Sequence, residues 1–95
     1  MKQSPQPDSA DDAALALTAL AWILGEAARA ERFLGLTGLT PDGLRGALSS
    51  RATQAAILSF LCAHENDLVS CAAAIDSDPA ALAAAAARLD GSRLP

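Results

Sequence analysis

Apolar residues recur along this chain at intervals of three and four, interrupted by Gly, Pro and short polar groups, and that periodicity is helical from residue 9 to residue 91. Ser9, with Asp12 three positions on, has the form of an acidic capping box, and Asp11 and Asp12 set negative charge against the positive end of a first helix. That helix runs to Leu24, and Gly25 stops it. Leu15, Leu17, Leu20, Trp22, Ile23 and Leu24 wrap nearly all round it, which predicts a position at the centre of the domain. A second helix over 27–36 sets Phe33 and Leu36 on one face and Arg29 and Arg32 on another, with Gly38 placed for a left-handed cap. Thr40-Pro41-Asp42 is an N-cap followed by proline at the first helical position; it opens a third helix that carries Leu44 and Leu48 and closes at Ser49-Ser50. The fourth, over 51–63, projects Ala56, Ile57, Phe60 and Leu61 inward and ends at His64. Asn66 caps a fifth with the inward face Leu68, Cys71, Ala72 and Ile75. Asp78-Pro79 opens a sixth, almost pure alanine, whose stripe is Leu82, Ala85, Ala86 and Leu89 and whose stop is Gly91.

Alternating strand patterns and hairpin signals are absent from the sequence, so the fold class is all-α: a compact single-domain bundle of five to six short helices. Its bounds are residues 9–91, with a disordered N-terminal tail expected at 1–8, where Pro5 and Pro7 resist a helix, and a short polar C-terminal tail at 92–95. Composition sharpens this picture. Of 95 residues 52% are hydrophobic but only 3% aromatic, and alanine supplies about half of the hydrophobic set, so the core must be thin and its helices close together. The longest apolar run, Ala13 to Leu24, falls short of the ~20 residues that cross a bilayer, and the N-terminus lacks the apolar stretch of a secretory signal. A cytoplasmic, non-membrane protein is expected, with Cys62 and Cys71 as free, buried thiols.

Several segments carry a resemblance. Leu20-Ala21-Trp22-Ile23-Leu24, the run from Arg32 to Asp42, Ile57-Leu58-Ser59-Phe60-Leu61 with Glu65, and Pro79 leading to Ala87-Arg88-Leu89 resemble a family of short alphaproteobacterial proteins known as a domain of unknown function. The likeness spans residues 13–90, and Arg32 to Leu39 is its most specific piece. It implies a small cytoplasmic helical protein and supplies no activity. The chain departs from the family's pattern at Thr53-Gln54, where a bulky apolar pair is usual, and at His64, where an acidic residue is.

Candidate chemistry is sparse. Cys62, His64, Glu65 and Cys71 lie close in sequence, yet they lack the paired short spacings of a zinc site, and position 68, where a zinc-protease helix needs its second histidine, is Leu68. Core thiols and a histidine at the C-terminus of the fourth helix account for them. Gly35, Gly38, Gly43 and Gly46 are not a phosphate loop, because no strand precedes them and no Gly-Lys-Ser/Thr follows. The single histidine has no local serine or cysteine signature, and the aspartates read as caps and solvated helix ends. No enzyme, cofactor or metal is expected.

Charge is more informative. The chain carries a net −4, which argues against nucleic acid or an anionic membrane as the main partner. Residues 1–28 and 52–95 are each acidic, whereas 29–51 holds Arg29, Arg32, Arg45 and Arg51 against Glu31 and Asp42. These four arginines are the candidate partner-binding residues. They suit a non-enzymatic intracellular module that docks a regulatory or assembly protein; the alternative is a small nucleic-acid-associated regulator using the Arg29–Arg51 segment. Ordinary solvated helix faces also account for them.

Overall fold

A computed structural model describes residues 9–91; the expected tails at 1–8 and 92–95 lie outside the described residues. Among the described residues there are six helices and no strands, in the order α1 Ser9–Leu24, α2 Ala27–Thr37, α3 Pro41–Gly46, α4 Arg51–Cys62, α5 Glu65–Ala74 and α6 Pro79–Asp90. The chain is all-α, as its periodicity requires.

Local capping chemistry sets most of the boundaries. Gly43 N–H donates to Thr40 Oγ1 and Ala81 N–H to Asp78 Oδ1, each at 2.9 Å, with Pro41 and Pro79 beginning their helices. Gly38, at φ 76°, and Gly91, at φ 66°, end α2 and α6 in the left-handed region that a side chain makes costly. Two boundaries differ from expectation. The α3 helix stops at Gly46, and Ser50 instead caps α4 by accepting from Thr53 N–H at 3.3 Å. Helix α5 starts at Glu65 with His64 in the cap position, so Asn66 lies inside its first turn rather than before it.

The core runs along α1, α4 and α6, with α2 and α5 also packed on α4. Here the expected centre shifts. Helix α1 is not surrounded: its buried residues Asp12, Ala16, Ala19, Leu20 and Ile23 share one face, while Leu17 and Leu24 are exposed and Leu15 and Trp22 half-buried. The most enclosed element is α4, which like α1 touches four other helices but buries the larger set: Thr53, Gln54, Ile57, Leu58, Phe60 and Leu61. Alanines make the close approach possible, since Ala16, Ala19 and Ala85 have no exposed surface. The polar pair at the start of α4 is also buried, and Gln54 Nε2 donates to Leu48 O at 2.9 Å, tying the α3–α4 connection to the core. On α2, Phe33 is buried edge-on against Phe60, with ring centroids 5.3 Å apart, but Leu36, expected beside it, is 64% exposed.

Candidate partner-docking surface

The four arginines are held by four different sets of acceptors. Arg29 lies over the Trp22 ring, 3.6 Å from its centroid, donates to Trp22 O and pairs with Glu26 at 2.9 Å. Arg32, also on α2, pairs with Asp67 of α5 and lies 5.9 Å from the Phe60 ring centroid. Arg45 pairs with Asp42 within α3 at 3.0 Å, both side chains largely in water. Arg51 donates to Leu89 O at 3.0 Å and Arg88 O at 2.7 Å, laying its charge on the negative end of α6. No two of them share an acceptor among these contacts.

The Cys62–Cys71 region separates likewise. Cys71 is buried, but Cys62 is exposed on the last turn of α4, which corrects its expected place in the core. Partial covering of the Cys62 thiol and burial of Cys71 push both up from their ordinary values; at Cys71, Arg29 opposes that rise and Asp67 adds to it. His64 is half-buried on the Phe60 ring, with centroids 4.8 Å apart, and its Nδ1–H donates to Phe60 O at 2.7 Å. That bond fastens the ring to the end of α4. It also fixes the tautomer, with the proton on Nδ1. Among the described residues, no three His, Cys, Asp or Glu side chains gather as a metal site.

Asp12 is likewise not a solvated helix end. It is 4% exposed, and its two carboxylate oxygens accept from Arg88 Nε and Nη2 at 2.9 Å each. The hydrogen bond to Asp12 is the main cause that lifts the Arg88 pKa further above its ordinary value.

What the charge pattern did not reveal is an open groove of about 620 Å³ between the end of α2 and the outward side of α4. Leu36, Thr37 and Leu39 form one wall. Ala52, Ala56, Ser59 and Ala63, spaced four, three and four residues apart along one face of α4, form the floor, and Phe60 and His64 close one end. Their small size is why the space stays empty. A smaller depression of about 470 Å³ on the α6 side shares Ala52, Ala56 and Ser59 with this floor. The sequence signal that marks the groove is this small-residue face opposite Ile57 and Leu61.

A model of the family described as "protein of unknown function (DUF3572)" matches residues 9–92. The chain belongs to this family. The match takes in the whole helical core of this DUF3572 protein, including both Pro-initiated helices and all four candidate arginines. No curated protein and no solved structure matches it. No single described helix is long and apolar enough to cross a membrane.

Proposed function

We propose that this protein is a non-enzymatic, cytoplasmic interaction module that docks a helical segment of a regulatory or assembly partner in the α2–α4 groove. The observation that carries this reading is Leu36, a large apolar side chain 64% exposed on the wall of an open groove floored by alanine and serine. A floor of small residues admits a second helix at short interaxial distance, and Leu36 and Leu39 meet its apolar side. Two of the candidate arginines stand beside this groove. Arg51 precedes Ala52 at one end, and Arg32 faces Phe60 at the other, about 14 Å away along the helix. An apolar partner segment with acidic flanks complements that arrangement. The nucleic-acid reading draws less support, because the chain carries a net −4 and Arg29 is spent on Trp22 and Glu26.

The test is site-specific photocrosslinking from position 59 in the native cell, with Leu36→Asp and Ala56→Arg as groove variants and circular dichroism to confirm their folding. The reading expects one protein crosslinked through an apolar helical segment and lost in both variants. Capture that persists in both overturns it. Sub-micromolar binding of random duplex DNA at about 150 mM salt, abolished by Arg32→Glu with Arg45→Glu, favours the nucleic-acid alternative instead.

A further inference from the structure

On a different part of the surface from the α2–α4 groove, α1, α2 and α3 line a third hollow, of about 250 Å³. Its walls are Leu20 and Leu24 of α1, Leu34 of α2, Leu44 of α3 and Leu48 just beyond it, with Pro41 where α3 begins. One polar side chain lines it, Arg45. An apolar recess edged by one largely exposed charged side chain has the form of a site for an amphipathic small molecule, and this one lies just below the roughly 300–1,000 Å³ of pockets for drug-sized ligands. We propose that it binds a short aliphatic carboxylate: the unbranched chain lies among the leucines and the carboxylate meets the Arg45 guanidinium.

Three observations specify that chemistry. The walls offer methyl groups and no aromatic ring, so they suit a flexible alkyl chain rather than a stacked ring system. Leu24 is 42% exposed beside the hollow, and a bound chain would cover the apolar surface now open there. The charge at the lining is positive. Arg45 pairs with Asp42 through one 3.0 Å contact in water, with both side chains largely exposed, and a guanidinium has further donors in a fork that matches a carboxylate. An alkyl ammonium meets the same chain pocket with the wrong charge.

The experiment titrates the full chain, labelled on its leucine methyl groups, with octanoate, methyl octanoate and octylammonium, and follows the methyl signals by NMR. Octanoate is expected to give saturable shifts at Leu24, Leu34 and Leu48, and each methylene removed from the acid should weaken binding about 4-fold. Arg45→Gln should weaken octanoate roughly 5-fold and leave methyl octanoate unchanged, whereas Asp42→Asn, which frees the guanidinium, should tighten octanoate. Both positions are exposed, so neither change threatens folding. Equal binding of all three probes, indifference to Arg45→Gln, or no saturation below about 10 mM overturns the proposal.

Discussion

Arg88 and Asp12 clamp the first turn of α1 to the last turn of α6, joining residues 76 apart in sequence by two parallel 2.9 Å hydrogen bonds. The pair is asymmetric: the Asp12 side chain is 5% exposed and that of Arg88 42%. Removing Arg88 leaves a carboxylate enclosed in protein without its counter-charge, whereas removing Asp12 leaves a guanidinium that water reaches.

Arg88→Met should therefore cost about 2 kcal/mol of stability, below the roughly 3–5 kcal/mol of a fully buried broken pair, and Asp12→Leu should cost less. The double variant should recover part of the Arg88→Met loss, because it no longer buries an unpaired charge. Urea midpoints measure all three. An Asp12→Leu loss equal to or larger than that of Arg88→Met would show that burial of the carboxylate is not the controlling factor.

Two aromatic residues separate the periphery from the core. Phe33 is fully buried against Phe60, while Trp22 is half-buried on α1 with Arg29 over its ring. Phe33→Ala should cost about 3–5 kcal/mol. Trp22→Ala should cost about 1–3 kcal/mol, because part of that surface already faces water and the arginine stack adds only part of the rest. Chemical denaturation orders the two, and a larger loss at Trp22 would return α1 to the centre of the bundle.

That contrast marks how far the sequence alone reaches. Helix starts at Pro41 and Pro79 and stops at Gly38 and Gly91 are legible because caps are made by residues within one turn of each other. Which helix is central is not local information. Leucines on every side of α1 leave its inward face open, and the choice falls to Ala16 and Ala19 because small residues let α4 and α6 approach. The Asp12–Arg88 pair escapes any window-based reading for the same reason. The groove beside Leu36 exists through the absence of bulk at Ala52, Ala56, Ser59 and Ala63, and a search for reactive side chains passes over such positions. Arginine clustering in sequence likewise says nothing about the acceptors each guanidinium finds.

Two glycines of α2 and its cap should respond to alanine with opposite signs. Gly35 sits within α2, and a Cβ there meets nothing within 4 Å, so Gly35→Ala should stabilise by about 0.5–1 kcal/mol through helix propensity and a less flexible unfolded chain. Gly38 also has open space but holds φ 76°, so Gly38→Ala should destabilise by about 1 kcal/mol from backbone strain. Thermal unfolding of the two variants gives shifts of opposite direction; shifts of the same sign would mean that the cap of α2 is not held in the left-handed region.

The last prediction follows from the two thiols. Cys62 is exposed and Cys71 buried, and partial covering of the first thiol and burial of the second push both up from the ordinary value of about 8.5. A thiol reagent at pH 8 should therefore modify one cysteine in the native protein, slowly because little of Cys62 is thiolate, and two in denaturant. The same shifts set a pH dependence. As pH rises above about 8.5, the unfolded chain releases thiol protons that the folded chain retains, so the native state binds more protons and its stability falls with pH. Below that value the contribution is fully present. The chain has no tyrosine, and arginine does not titrate in this range, so few other groups can produce the effect between about pH 8.5 and 10. Urea midpoints measured across that range should decline in the wild type and decline less in Cys71→Ala, even though that variant starts lower. An equally steep decline would show that Cys71 releases its proton as readily in the folded chain as in the unfolded one.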